Sequence, residues 1–195
     1  MRGLLLLLLL GLWPVPVAAL APHSNAVIIA KAALAQVGVT TQYDPGYARL
    51  PYPGGDIPRE RGVCADVVVR ALRAAGADLQ ALVHEDMKKN FSAYPQKWKL
   101  TKPDPNIDHR RVLNLETFFI RAGKALPVTK KAGDYLPGDM VSWRLGNGLP
   151  HIGVVATAPQ RHGRPLVVHN IGAGTRLEDV LFDFQLTGHF RYFAP

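Results

Sequence analysis

The sequence predicts an α+β domain, with N-terminal helices packed on a mostly antiparallel sheet of about five strands. Between residues 24 and 123 apolar residues recur at helical spacing. From Lys124 onward the apolar runs are short, rich in β-branched and aromatic residues, and separated by Gly, Pro and Asn. Helices first and strands afterwards indicate segregated layers and not alternating βα units. A charged fraction of 19% beside 48% hydrophobic residues belongs to a globular chain and excludes a disordered one.

The first segment is read as lying outside the fold. Arg2 gives a short basic start, Leu4 to Leu12 is a nearly unbroken leucine run, and small residues follow at Val17, Ala18 and Ala19. That order is a secretory signal peptide over residues 1–19, cut near 19–21. The run is short of the roughly 20 residues a bilayer span needs. The expected location is therefore export, to the periplasm or the extracellular space, with no stable membrane insertion once the leader is removed. Residues 20–195 are expected to form one domain, a size at which a single core suffices.

Ser24 opens a helix that runs to Val37 before Gly38. Residues 40–62, "TTQYDPGYARLPYPGGDIPRERG", have no periodicity of their own, and a loop of that length in a compact domain is usually functional. The next helix begins at Cys64 and ends near Gly76. Val67, Val68, Ala71, Leu72 and Ala75 form its apolar stripe, and Asp66, Arg70 and Arg73 take the other face, with Asp66 and Arg70 spaced as an i,i+4 ion pair. Asp78 caps a helix through Asn90, and Asn114 caps one that stops at Gly123. The strands are "DMVSWRL", "HIGVVAT", "PLVVHNI" and "GHFRYF". Alternation puts His151, Gly153 and Val155 on one face of theirs.

The net charge of +8 suits an anionic polymer, but the basic residues are scattered and never interleave with aromatics as on a nucleic-acid platform. No nucleic-acid partner is expected, and a monomer is favoured. Cys64 is the only cysteine, so an internal disulfide is excluded. An unpaired thiol outside the cytoplasm is a liability unless it is buried or used. At a helix N-terminus, free N–H groups and the helix dipole favour a thiolate. A nucleophile there needs a base, and the base needs a partner at its other ring nitrogen. His151, at the start of a strand, is the candidate base. His169, at the end of the next strand, is the candidate orienting group, with Asn170 as second choice because alternation points it to the opposite face.

Around this trio stand further candidates. Tyr43 or Tyr52 is placed in the loop to offer a hydroxyl to substrate or oxyanion, with ring packing as the alternative. Asp66 is a candidate substrate contact. Arg110 or Arg111, in "DHRR", has the forked geometry that grips carboxylates. The alternative is an internal network in which Asp108 fixes an arginine and His109 lies at the surface. Seven histidines invite a zinc reading, yet no His-Glu-x-x-His or paired-Cys spacing occurs, so no metal and no cofactor is expected.

The motifs "PYPGGD", "GVCADVVVRAL", "PGDMVSW", "LPHIGVVA" and "LVVHNIG" resemble, in order, the signature of the NlpC-type (NlpC/p60-like) cell-wall cysteine peptidases, a papain-like superfamily. "YPGGDIP", "IDHRRVLNL", "LPHIGVV" and "TGHFRY" are similar to the domain-of-unknown-function-1287 (DUF1287) family within it. The resemblance covers residues 40–193. It implies a papain-like NlpC-type fold, with Cys64 as nucleophile, His151 as base and His169 as orienting residue. It also implies an exported peptidase or amidase acting on peptidoglycan or its peptide fragments. The superfamily's Asp-Cys-Ser is here Val63-Cys64-Ala65, which removes the aspartate that would precede the nucleophile. A non-catalytic wall-binding module on the same fold, and an acyl hydrolase or transferase on a non-wall substrate, are the competing expectations.

Overall fold

The computed structural model describes residues 24–158 and 160–193; the leader expected over 1–19 lies outside them. Among the described residues four α-helices and eight strands follow one another. These are α1 (Asn25–Leu34), β1 (Gln42–Tyr43), β2 (Arg61–Gly62), α2 (Cys64–Ala74), α3 (Leu79–Asn90), α4 (Val112–Arg121), β3 (Ala125–Leu126), β4 (Met140–Arg144), β5 (Pro150–Val155), β6 (Val167–Asn170), β7 (Thr175–Glu178) and β8 (Gln185–Phe190). Among the described residues no helix is long and apolar enough to cross a membrane.

Three helix ends depart from expectation. Ser24 precedes α1 but its hydroxyl makes no capping bond, and hydrogen-bonded turns replace helix after Leu34. Asp78 does cap α3, accepting from the Gln80 N–H at 3.3 Å. Asn114 does not cap α4. The helix starts earlier, at Val112, and the Asn114 amide lies inside it, donating to the Asp108 carbonyl at 3.1 Å. A polar side chain is free to bond the backbone in either role, so its position alone did not decide the boundary.

The main sheet has six strands in the order β3-β8-β4-β5-β6-β7, every neighbouring pair antiparallel. The strands legible in sequence are β4, β5, β6 and β8. The additions are edge strands: β3 is two residues long, and β7 carries polar side chains on an outer position. The loop 40–62 also holds structure, because β1 and β2 pair in parallel at its two ends.

Alternation gives the sheet two apolar faces. Met140, Ile152, Val154, Val168 and Phe190 pack against the helices, among them Val68 of α2 and Phe119 of α4. Val141, Trp143, Val155 and Val167 pack on the opposite side, under Tyr135 and Leu181. α2 is buried along most of its length, which explains why its polar side is covered too. Arg70 forks onto Asp56, both contacts at 2.9 Å, and Arg73 reaches Asp78 at 2.9 Å and the Gly55 carbonyl at 3.1 Å. The helix's basic residues therefore tie down the loop 40–62 instead of facing solvent.

Candidate active site

Cys64 is the first residue of α2. Val63, at the N-cap, has no side-chain acceptor, and half a capping box takes its place: the Asp66 carboxylate accepts from the Val63 N–H at 2.7 Å. This bond and the helix start fix where the thiol sits. Its neighbour is β5. The Val155 N–H donates to Asp139 on the β4 side, and the Ala156 N–H donates to Leu166 on the β6 side. By alternation the Ile152 N–H points toward β6. Pairing of β5 with β6, however, ends at Gly153 and His169. Past that point the strands part, and the Ile152 N–H is directed at the Cys64 sulfur instead. Asn170, on the parted end of β6, donates to the Gly62 carbonyl at 3.0 Å and holds the chain just before Cys64.

The two histidines lie on the sheet face turned away from the helices. His151 stands opposite Trp143, and their rings stack at 5.6 Å between centroids with 24° between planes. The Trp143 indole N–H is spent on the Leu181 carbonyl at 3.0 Å, which fixes the platform beneath His151. His151 Nε2 is 2.9 Å from His169 Nδ1. His169 Nε2 in turn is 2.8 Å from the Glu178 carboxylate, a close contact bent away from the ring's N–H direction. The thiol packs with the helix-side core and takes its strand contact from the Ile152 N–H. His151, one residue before Ile152, stands at that same end of the β5–β6 ladder.

Burial sets the charges. It pushes the Cys64 thiol up to about 11, and Asp66 adds to the rise, while the N–H groups of Ile152, Ala65 and Cys64 itself favour the thiolate. The expectation of a lowered thiol is thus corrected: desolvation outweighs the helix N-terminus here. Burial also pushes His151 down to about 3, with His169 contributing. His169 is lowered by burial against the pull of Glu178. Thiol and imidazoles are therefore neutral at pH 7.

Cys64 opens into a cleft of about 390 Å³ whose walls include Tyr43, Trp98, Arg111, Leu149 and Pro150. Tyr43 is brought here; burial first, and then the nearby sulfur, raise its phenol. Tyr52 is not. Its hydroxyl bonds Glu85 at 3.1 Å and its ring packs edge-on against His84, away from the cleft.

Arg110 also lines the cleft, while Asp66 lies behind it. Asp66 is 3% exposed and binds Arg110 in two-point fashion, at 2.9 and 3.0 Å; it makes no pair with Arg70. Two further N–H groups of Arg110 go to the carbonyls of Gly46 at 2.9 Å and Asp44 at 2.8 Å. Arg111 lines the cleft, bonded to Asp108 at 3.2 Å and lying 4.1 Å over the Trp98 ring. Asp108 does fix an arginine, but His109 is buried and not at the surface. Among the described residues no group of three or more His, Cys, Asp or Glu side chains could hold a metal ion.

Sequence reading missed Trp98, Trp143 and Glu178. Trp143 was within reach, since it lies in a legible strand next to that of His151. Glu178 belongs to β7, which was not read as a strand.

A model for "Domain of unknown function (DUF1287)" matches residues 30–192. The Escherichia coli (strain K12) protein named "Uncharacterized protein YijF" is 63% identical over 166 residues, 85% of this chain and 81% of that one. Among solved structures, NlpC1 from Trichomonas vaginalis superposes with a TM-score of 0.51 at 12% identity. The match covers 91% of this chain and 47% of the other, so the chain spans about half the length of that molecule. At such low identity the likeness shows the NlpC-type fold.

Proposed function

The chain belongs to the DUF1287 family, and from that premise we propose that it is an exported cysteine hydrolase that cuts amide bonds in peptidoglycan peptides. The observation that carries the reading is the end of the β5–β6 ladder, where a helix-start thiol meets the Ile152 N–H next to a buried His151–His169 pair with half-exposed Glu178 at its outer end.

His151 gives Nε2 to His169, so its Nδ1 is the atom for exchange with the thiol. Both groups rest neutral, and proton transfer accompanies attack instead of preceding it. The sulfur bonds to the amide carbon as Nδ1 takes its proton. The oxyanion that forms is met by N–H groups at the start of α2. Its collapse breaks the C–N bond, and His151 hands the proton to the leaving amine. Water then attacks the thioester with His151 again as base, the C–S bond breaks, and the acid leaves as the thiol regains its proton.

Substrate choice rests on the cleft. Arg111 spends one contact on Asp108 and presents the rest of its fork beside Trp98, which suits the carboxylates of wall peptides. Val63 removes an acidic contact on the near side of the nucleophile.

Incubation of the purified protein and a Cys64→Ala variant with muropeptides, read by mass spectrometry, tests this. The wild type is expected to release new termini, and the variant to lose at least about 10³-fold in rate. Equal product from both removes Cys64 from the mechanism. The neutral resting thiol favours one competing reading, a wall-binding module without turnover. Retention of muropeptides by wild type, with no product from it, would establish that reading instead.

A further inference from the structure

We infer that Glu178 is a positioning residue that selects the tautomer of His151 in which Nδ1 is free to take the thiol proton, an inference that rests on the cysteine-hydrolase reading. Glu178 lies at the end of β7, opposite Val167 of β6. His169 stands opposite Arg176, two residues earlier on β7. Side chains two apart on a strand share a face, so Glu178 and His169 are diagonal neighbours on the face that also carries His151.

The argument counts protons. A carboxylate oxygen 2.8 Å from an imidazole nitrogen repels a lone pair and attracts an N–H there, so His169 Nε2 is assigned the hydrogen. A neutral imidazole has only one N–H, which leaves His169 Nδ1 bare. That atom is 2.9 Å from His151 Nε2, a separation that requires one proton between them, and His151 must supply it. His151 is then the Nε2–H form, and its Nδ1 lone pair is available to the thiol. Without the carboxylate the mirror arrangement competes: His169 donates from Nδ1, His151 accepts at Nε2, and His151 Nδ1 carries hydrogen where a base is needed. The contact at Glu178 is bent, so the carboxylate acts on the tautomer through its charge more than through a directed hydrogen bond. When His151 takes the thiol proton, the same carboxylate also faces the positive charge through His169.

The test uses two readouts on the full folded protein. The first is imidazole ¹⁵N NMR of the wild type. It is expected to show bare Nδ1 and protonated Nε2 on both His151 and His169; the opposite tautomer of His151 overturns the inference without any variant. The second is the rate of Cys64 alkylation by iodoacetamide from pH 6 to 9 in wild type, Glu178→Ala, Glu178→Gln and His151→Ala. Loss of an outer partner of this kind typically costs 10–100-fold, so Glu178→Ala is expected to slow alkylation near neutrality by about 10-fold or more. Glu178→Gln should recover most of the rate, since an amide oxygen accepts the same N–H. If His151→Ala slows alkylation and Glu178→Ala does not, the inference on Glu178 falls and the hydrolase reading stands. If His151→Ala leaves the rate unchanged, it is the hydrolase reading that falls.

Discussion

Asp66, two residues after the thiol, and Arg110 form a buried pair, and the pair has a structural task. Arg110 joins α2 to the chain at Asp44 and Gly46, directly after Tyr43, so one guanidinium connects the nucleophile's helix to a wall of its cleft. Two buried charges do not stabilise a fold by themselves, but removing one partner leaves the other unpaired and costs about 3–5 kcal/mol. Arg110→Met is expected to lower unfolding free energy by about that amount in urea titration, with Asp66 left bare behind the Val63 cap. Arg110→Lys should rescue little, since an ammonium cannot span two carbonyls and a carboxylate in one plane. A sequence places Asp66 by helical period alone, which put it on a solvent side with Arg70. Its partner lies 44 residues away, beyond what any local pattern carries. Cys64, His151 and His169 were legible for the opposite reason: each stands at an element end or strand position that local pattern marks.

At the scale of elements, the site depends on how closely β5 and β6 approach before they part. Gly153 governs this. A Cβ there would lie 2.7 Å from a Val167 methyl, 2.9 Å from the Val168 carbonyl oxygen and 3.1 Å from His169 Cβ. The methyl could turn away, but the backbone carbonyl could not, so the strands would have to separate where His169 meets His151. Gly153→Ala is therefore expected to cost about 1–3 kcal/mol, the usual range for overpacking. It should also lower kcat on muropeptides by roughly 10-fold or more while changing KM less, since it moves an orienting group and not the cleft. A variant with wild-type kcat would show that β6 can shift without disturbing the histidines. The strands β4, β5 and β6 could be read because their apolar residues are buried on both faces, and β8 because its second half is buried. "TRLE" could not, as β7 borders the sheet and mixes buried with half-exposed positions. Missing that strand meant missing Glu178, so the outer end of the proton chain was lost with the element that carries it.

For the molecule as a whole, the sheet is a partition with an apolar core on each face, and the site sits where the partition ends. Placing histidines inside such a structure has a consequence for acid stability. His109 and His151 are pushed down by burial, to about 4 and about 3, and His169 is lowered as well. In the unfolded chain each would titrate near 6.5. The folded state therefore binds fewer protons than the unfolded state between pH 6.5 and about 4, and the sign follows: stability is present above 6.5 and is lost as pH falls through that window. Each group contributes up to about 1.4 kcal/mol per pH unit, so His109 and His151 together approach roughly 3 kcal/mol per unit well below pH 6.5, and His169 adds in the same direction. Asp108, raised by burial, opposes them at the acid end of the window. Urea midpoints measured at pH 7.5, 6.5, 5.5 and 4.5 should be level across the first two and then fall steeply. His109→Leu provides the control. His109 Nδ1 has no hydrogen-bond partner, so an apolar replacement loses no bond there, and it should reduce the slope by up to about 1.4 kcal/mol per unit without touching the site. Midpoints that stay level down to pH 5 would mean that the native chain accommodates charged histidines, and the neutral His151 required of the base would go with them.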